Sequence, residues 1–191
     1  MKRTLVCLIG VFIPFFLIHT YAFPDNPLPQ KGSRLPEIKL AVPTAPAQRD
    51  YLGLTGDGFF TIADIKAKVV IIEIFSMYCP HCQREAPSVN QLYRTIENSP
   101  DAKGTVKLLG IGAGNDSFEV NYFSKTYEVP FPLFEDKDYL IHEQLGKPAT
   151  PFFMGVRINT QGSHEVFYTH LGGFEGADQF LDEILKGSGL K

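Results

Sequence analysis

Two cysteines, Cys79 and Cys82, are separated by two residues and carry the main chemical signal of this sequence. A cysteine thiolate is a nucleophile, and two thiols at this spacing can form, open or transfer a disulfide bond. A structural cross-link of so short a loop would add little stability, because the stabilisation grows with the length of the closed loop. The pair therefore indicates redox chemistry.

A buried strand and an amphipathic helix are predicted on either side of the pair. Val69–Phe75 is a continuous apolar run rich in β-branched residues, typical of a strand buried on both faces of a sheet. Pro80 suits the first turn of a helix whose apolar residues recur at helical spacing. Cys79 then lies at the helix N-terminus, where N–H groups and the helix dipole stabilise a thiolate. His81 can add another N–H or a positive charge, while Cys82, one turn later, is the shielded resolving thiol.

Two carboxylates are candidate partners of the thiols. Glu73 interrupts the apolar strand, and a carboxylate at such a position needs a partner or a raised pKa. We expect Glu73 to accept the proton of Cys82, directly or through water, and Lys107 on the neighbouring strand is a possible partner. The alternative roles of Glu73 are a structural ion pair and a solvent-facing strand end. Glu85 follows Cys82 by three residues, and the sequence leaves open whether it is a second buried carboxylate or a solvated residue.

Length and composition predict one globular domain. The 191 residues are 44% hydrophobic and 20% charged, and 18 basic against 21 acidic residues give a net charge of -3. No excess of basic residues is present to neutralise phosphates, which argues against nucleic-acid binding. A chain of this size can bury one core. We expect the protein to be a monomer.

The N-terminus predicts export. Residues 1–22 combine a basic start with the apolar run 5–18 and with small residues before a cleavage point after Ala22. The run is shorter than the roughly 20 residues of a membrane span, which favours a cleaved signal peptide over an uncleaved anchor. Cys7 lies inside the run, so a lipid anchor is not expected. The predicted location is the periplasm, where disulfides persist.

The remaining pattern predicts an α/β fold. Residues 23–50 contain six prolines and are expected to form an irregular N-terminal arm with a short edge strand at 38–42. Strands and helices then alternate, which predicts a parallel portion of the sheet, and a closing hairpin adds antiparallel strands. The expected fold is a mixed central sheet with helices on both faces. Its further elements are a strand at 106–111, a helix capped by Asn115 or Asp116, a short helix capped by Asp136, a hairpin of 151–158 and 165–170 turning at 160–163, and a helix at 177–186.

The sequence resembles the thioredoxin superfamily, and its layout is similar to the periplasmic TlpA/ResA-like thiol–disulfide oxidoreductases. The supporting residues are the Cys-x-x-Cys-x-x-Glu-x-Pro motif at 79–87, the Val-Pro-Phe-Pro segment at 129–132, the Ala-Thr-Pro-Phe segment at 149–152 and the Gly-Gly-Phe before the last helix. The segment 73–82, which ends in Cys-Pro-His-Cys, resembles DsbA. The resemblance implies a thioredoxin-like domain over residues 51–191.

The same resemblance implies roles for individual residues. Cys79 would be the nucleophile and Cys82 the resolving thiol, with Pro80 and His81 between them. A cis bond between Thr150 and Pro151 would pack against the disulfide, and the backbone of Thr150 would pair with the substrate. Glu73 and Glu85 would tune the pKa values of the thiols. The implied partners are protein thiols and disulfides and a membrane redox protein, and no cofactor or metal is expected.

Several alternatives stay open. The DsbA-like motif favours an oxidase that introduces disulfides, whereas the TlpA/ResA-like layout favours a reductase, for example in cytochrome c maturation. A metallochaperone or apoprotein-binding module could use the same thiols without turnover. A structural zinc site would need further ligands that no second cysteine pair supplies. A peroxidase of the peroxiredoxin type is disfavoured because the usual Pro/Thr pattern is missing, although Ser76 occupies the position of the threonine.

Overall fold

The computed structural model of the protein describes residues 26–159 and 164–190. The predicted signal peptide at 1–22 and the predicted hairpin turn at 160–163 lie outside the described residues. Within the described ranges, no helix is long and apolar enough to cross a membrane. The strands are β1 (Lys39–Ala41), β2 (Phe59–Thr61), β3 (Val69–Phe75), β4 (Val106–Ala113), β5 (Leu133–Asp136), β6 (Phe152–Arg157) and β7 (Glu165–Leu171), and the helices are α1 (Pro46–Leu52), α2 (Pro80–Asn98), α3 (Ser117–Thr126), α4 (Leu140–Gln144) and α5 (Ala177–Ser188).

The central sheet has five strands in the order β5-β4-β3-β6-β7. β3 runs parallel to β4, and β4 runs parallel to β5. β6 is antiparallel to both β3 and β7. The mixed sheet is confirmed, and it combines one parallel and one antiparallel half that meet at β3.

All seven residues of β3 are buried, as expected for the central strand of a sheet that is covered on both faces. On one face, Val69 and Ile71 pack against α2 and α5, and Phe75 packs against α2 and α3. On the other face, Val70 and Ile72 pack against residues of the N-terminal arm, β2 and α4. Helices therefore cover both faces of the sheet, as predicted. The side chains of β3 alternate between the faces, which places Glu73 on the side of α2.

The proline-rich arm is folded onto the domain. Leu35, Ile38 and Leu40 are buried in the core of the second face. β1 pairs with β2 in a separate two-stranded sheet, so the predicted strand at 38–42 is an element of this small sheet. The segment before it lines the open edge of β7, where the amide of Gly32 donates to the carbonyl of Val166 at 2.8 Å. The arm therefore packs against both the central sheet and its edge.

The capping residues of two helices were predicted from the sequence. The carboxylate of Asp116 accepts from the amide of Glu119 at 2.9 Å, and so Asp116 rather than Asn115 caps α3. The carboxylate of Asp136 accepts from the amides of Ile141 and His142 at 3.0 and 2.8 Å, although Tyr139 directly precedes α4. β5 was not predicted, and neither was α1, which begins inside the arm that was expected to be irregular.

Candidate active site

Cys79 lies between the end of β3 and the start of α2. It directly precedes Pro80, the first residue of the helix. Both thiols are free: Cys79 is partly exposed, and Cys82 is fully buried. The side chain of Cys82 packs with Phe75 of β3 and Ala86 of α2. One sulfur of the pair is therefore open to an incoming molecule and the other lies behind it.

The surroundings of Cys79 stabilise its thiolate. Partial burial opposes ionisation of this thiol, but hydrogen bonds with the side chain of Thr150, with the amide and thiol of Cys82 and with the amide of His81 outweigh it, so the pKa of Cys79 is lowered. Three of these groups, two amides and the thiol of Cys82, belong to the first turn of α2. The predicted effect of the helix N-terminus on the thiol is therefore carried by two backbone amides.

The surroundings of Cys82 have the opposite effect. Burial raises the pKa of this thiol, a hydrogen bond with the backbone of Ser76 partly opposes the rise, and the negative charge of Glu73 adds to it. Cys82 therefore stays protonated under conditions in which Cys79 ionises. The thiolate is the reactive form of a cysteine, so this difference favours Cys79 over Cys82 as a nucleophile.

Glu73 is a carboxylate buried in the central strand of the sheet. Burial raises its pKa to about 8, and the charge of Glu85 contributes to the rise. Among the described residues, Glu73 takes part in no salt bridge. Its negative charge in turn raises the pKa of Cys82. A group of this kind can take up or release a proton near neutral pH.

The expectation that Lys107 pairs with Glu73 is wrong. The register places Glu73 beside Gly110 and Lys107 beside Val70, so the two side chains point to opposite faces of the sheet. The ammonium group of Lys107 instead lies 4.1 Å from the centre of the Tyr51 ring. Lys107 therefore contacts Tyr51 of α1 and takes no part in the site.

Glu85 is half-buried and fixed by the turn that follows β7. Its carboxylate accepts from the amide of Phe174 at 3.2 Å. A side chain at Gly173 would collide with it, because a Cβ atom there would lie 2.2 Å from Oε2 of Glu85. The imidazole of His170 contacts the carbonyl oxygen of Gly173 at 2.9 Å and so helps to fix the turn. Glu85 is therefore an ordered carboxylate next to Glu73, which favours the first of the two interpretations of the sequence.

The segment before β6 forms the other side of the site. The peptide bond between Thr150 and Pro151 is cis, as the resemblance implied. The thiol of Cys79 donates to the carbonyl oxygen of Thr150, with a distance of 3.2 Å between sulfur and oxygen. Pro151 is buried, and Thr150 remains partly exposed. A partly exposed residue with its backbone next to the Cys79 sulfur therefore precedes the buried proline.

His81 contributes through its backbone more than through its ring. The ring is exposed, and its Nδ1 lies 2.9 Å from the guanidinium of Arg84. A guanidinium group only donates hydrogen bonds, so Nδ1 of His81 is an acceptor and carries no proton in this arrangement. The amide of His81, in contrast, contributes directly to the lowered pKa of Cys79.

Two polar side chains form hydrogen bonds with the loop before Cys79, and neither contact was predicted from the sequence. The side-chain carbonyl of Asn115 accepts from the amide of Met77 at 2.8 Å, and Asn115 is completely buried. The side chain of Gln83 donates to the carbonyl oxygen of Met77 at 2.7 Å. Asn115 comes from the segment after β4, and its contact with Met77 joins positions 38 residues apart. From the sequence, Asn115 was a candidate for a helix cap only. Burial of its polar side chain, which indicates a structural contact, is visible only in the structure.

Replacement of Asn115 with alanine is expected to destabilise the protein by about 1–3 kcal/mol, because the amide of Met77 loses its acceptor in a poorly hydrated place. Urea unfolding of the reduced protein measures the effect. The control is Asn121→Ala, which removes an exposed asparagine of α3 and should change the free energy of unfolding by no more than about 0.5 kcal/mol. Equal stability of the two variants would contradict the positioning role of Asn115.

Metal ligands are not assembled in the described part of the chain. Within residues 26–159 and 164–190, no group of three or more histidine, cysteine, aspartate or glutamate side chains could hold a metal ion. The groups that do converge are two thiols of unlike pKa, two carboxylates and the cis peptide segment. This set is suited to nucleophilic attack by one sulfur, followed by attack of the second.

Comparisons with known proteins were made for both sequence and structure. The thiol-disulfide oxidoreductase ResA of Halalkalibacterium halodurans is 25% identical over 125 residues, which are 65% of this chain and 65% of that protein. The chain thus matches slightly less than two thirds of that relative's length. A crystal structure of a putative thiol:disulfide interchange protein DsbE from Chlorobium tepidum has a TM-score of 0.63 and 15% identity, covering 85% of this chain and 99% of the other.

A second solved structure supports the same fold. A secreted disulfide oxidoreductase of Mycobacterium tuberculosis, homologous to DsbE of E. coli, has a TM-score of 0.52 and 21% identity, covering 72% of this chain and 98% of the other. The family model described as AhpC/TSA matches residues 32–164, a range that begins inside the proline-rich arm. The range includes the two cysteines, Glu73, Glu85 and the cis bond, and it ends before the turn that follows β7. The chain therefore belongs to the AhpC/TSA family, and its fold is the thioredoxin-like fold expected from the sequence.

Proposed function

We propose that this protein is a thiol–disulfide oxidoreductase that exchanges a Cys79–Cys82 disulfide with protein substrates. The observation that carries the proposal is the contrast between the two thiols. The pKa of the accessible Cys79 is lowered, whereas the pKa of the buried Cys82 is raised. The similarity to ResA over 65% of the chain supports the same activity.

The reaction proceeds through a mixed disulfide. The thiolate of Cys79 attacks one sulfur of a substrate disulfide, forms a bond to it and releases the other sulfur as a thiolate. Cys82 then loses its proton and attacks the sulfur of Cys79, which releases the second substrate thiolate and leaves a Cys79–Cys82 disulfide. Two electrons pass to the substrate in this direction. The reverse sequence oxidises a substrate dithiol.

Glu73 is the proposed acceptor of the Cys82 proton. Its pKa of about 8 allows it to hold or release a proton near neutral pH, and it interacts with the buried thiol. Glu85 modulates Glu73 through charge, and the amide of Phe174 keeps Glu85 in place. The backbone of Thr150, next to the cis bond, pairs with the polypeptide of the substrate.

We also propose that the protein acts after export and needs no cofactor beyond its own thiols. The basic and apolar segment at residues 1–22 supports export, as does the similarity to a secreted disulfide oxidoreductase. A membrane redox protein would regenerate the thiols or the disulfide. The functional protein is proposed to be a monomer with a thioredoxin-like domain over residues 51–191, preceded by the proline-rich arm at 23–50, whose described part packs onto the domain.

Substitution of Cys82 with alanine tests the mechanism. The variant is expected to accumulate a mixed disulfide between Cys79 and its substrate, because the second sulfur is no longer present to release it. Non-reducing electrophoresis and mass spectrometry of the variant, incubated with a disulfide-bonded protein, measure the adduct. The double variant that also lacks Cys79 is the control and should form none. An adduct in the double variant, or none in the single variant, would refute the mechanism.

His81→Pro is expected to make the disulfide less oxidising. Proline has no N–H, so the thiolate of Cys79 loses one stabilising amide, while the first turn of α2 tolerates the ring. A hydrogen bond to a charged group contributes about 1.5–3 kcal/mol, which corresponds to roughly 30–60 mV. Equilibration with glutathione measures the potential. His81→Ala keeps the amide and should shift the potential less. Equal potentials of the wild type and His81→Pro would exclude the role of the amide.

The wild-type reduction potential also decides the direction of electron flow. A potential near that of strong oxidants supports the formation of disulfides in substrates, and a much lower potential supports reduction. Two other activities have direct assays. Metal that co-purifies with the protein would favour a metallochaperone. Cys79-dependent consumption of peroxide would favour a peroxidase, an alternative that membership in the AhpC/TSA family leaves open.

A further inference from the structure

A pocket of about 330 Å³ lies between β7, the turn after it and α5. Its lining combines aromatic rings with carboxylates. The aromatic residues are Tyr168, His170, Phe174 and Phe180, and the acidic residues are Glu175 and Glu183. No lysine or arginine is among the described residues that line it.

The aromatic rings form one continuous cluster. The rings of Phe174 and Phe180 have their centres 4.3 Å apart, and those of Tyr168 and His170 are stacked with 11° between their planes. Phe180 also contacts both Tyr168 and His170 edge-on. The cluster is thus a rigid wall of π systems, whose faces attract a cation.

In the described part of the chain, the carboxylates of the pocket pair with no lysine or arginine. Glu183 accepts hydrogen bonds from the hydroxyl of Tyr168 at 3.0 Å and from the amide of Gln179 at 3.3 Å, both of which are neutral donors. Neither Glu175 nor Glu183 is part of a salt bridge among the described residues. Negative charge next to aromatic faces favours a positively charged ligand and opposes an anion.

The pocket shares a wall with the proposed redox site. Phe174, which lines the pocket, donates its amide to Glu85, and Glu85 follows Cys82 by three residues on α2. At the end of β7, Leu171 pairs with Phe152, the residue after Pro151 of the cis bond. A polypeptide that contacts Thr150 can therefore extend along the end of β7 towards the pocket.

We propose that this pocket binds a lysine or arginine side chain of the protein substrate. The aromatic wall stacks against the alkyl chain and the cationic group, and Glu183 and Glu175 neutralise the charge. The inference rests on the proposed function, because it names a property of the substrate of the same redox site. It gives the protein a preference for substrates with a basic residue near the reacting cysteine.

Kinetics with paired peptides test the preference. A series of disulfide-bonded peptides carries one arginine at successive positions relative to the cysteine, and each has a counterpart with glutamine at that position. In the favoured position, the arginine peptide is expected to have a kcat/KM about 10-fold higher. The double variant Glu175→Gln/Glu183→Gln should bring this ratio close to one, because the amides keep the shape of the pocket and remove its charge.

A matched variant controls for the general effect of charge. Glu135→Gln removes an exposed carboxylate of β5, at the opposite edge of the sheet from β7, and should keep the full ratio. A wild-type ratio near one at every position, or an unchanged ratio in the Glu175→Gln/Glu183→Gln variant, would overturn the inference.

A binding measurement separates this inference from the proposed function. In a Cys79→Ser/Cys82→Ser protein that cannot exchange disulfides, titration with an arginine amide, followed by NMR, should shift the amide signals of Gly173 and Phe174. The glutamine amide should leave them unchanged. If the peptides are not exchanged at all but the arginine amide binds, the proposed activity fails and the pocket stands. If exchange occurs but neither the titration nor the kinetics depends on arginine, the pocket assignment fails alone.

Discussion

Replacement of Cys79 with alanine is expected to lower the rate of thiol–disulfide exchange on the order of a thousandfold or more, since the nucleophile is lost. Cys82 cannot substitute for it. This second thiol is fully buried, and its pKa is raised by burial and by the charge of Glu73. Reduction of a disulfide-bonded protein by the variant, with dithiothreitol as the electron source, measures the loss.

The same difference between the thiols should appear in alkylation. Iodoacetamide is expected to modify Cys79 of the reduced protein at a pH well below that required for an ordinary cysteine, because the pKa of Cys79 is lowered. Cys82→Ala should keep this reactivity and Cys79→Ala should lose it. Turnover that persists in Cys79→Ala, or equally slow alkylation of both thiols, would remove the basis of the proposed mechanism.

Glu73→Gln is expected to change the pH dependence of stability more than any other single substitution in the site. In the folded protein, burial raises the pKa of Glu73 from an ordinary value of 4.5 to about 8. Between these two values the folded state binds more protons than the unfolded state. The contribution of protonated Glu73 to the free energy of unfolding is therefore complete below pH 4.5 and is lost as the pH rises towards 8.

The size of the effect follows from the shift in pKa. Each pKa unit corresponds to about 1.4 kcal/mol, so the wild type should lose several kcal/mol between pH 5 and pH 8 through this residue. Glutamine has no charge to bury, and the variant should be more stable than the wild type at pH 8 but not at pH 5. Urea unfolding of the reduced proteins at both pH values provides the measurement.

Glu135→Gln is the control for this prediction because its carboxylate is exposed on β5. This variant should follow the wild type at both pH values. The same loss of stability from pH 5 to pH 8 in Glu73→Gln and in the wild type would show that Glu73 is not the buried, titrating group.

The central part of the fold could be predicted because its signals are local. A continuous apolar run identifies β3, and helical spacing after Pro80 identifies α2. Cys79 lies at the junction of these two elements, so its position at a helix N-terminus also follows from the sequence. β5 could not be predicted in this way, because its structure depends on pairing with another strand. β5 has only four residues and follows a Pro-Phe-Pro segment, and its pairing with β4 defines it.

The surroundings of Glu73 could be predicted from the sequence only in part. The position of this carboxylate in an apolar strand predicts a raised pKa, and burial has this effect. The sequence could not exclude Lys107 as a partner, because the register of β3 and β4 decides which face each side chain occupies. Asn115 was missed for a related reason: its contact with Met77 depends on how two loops from neighbouring strands meet.

The contact between the N-terminal arm and β7 affects more than packing. β7 is an edge strand of the central sheet, and Val166 exchanges backbone hydrogen bonds with Gly32 and Ser33 of the arm. An uncovered strand edge can recruit a strand from another molecule. A proteolytic cut that removed residues 26–35 would therefore expose this edge, and the truncated protein would tend to aggregate while its two cysteines remained intact.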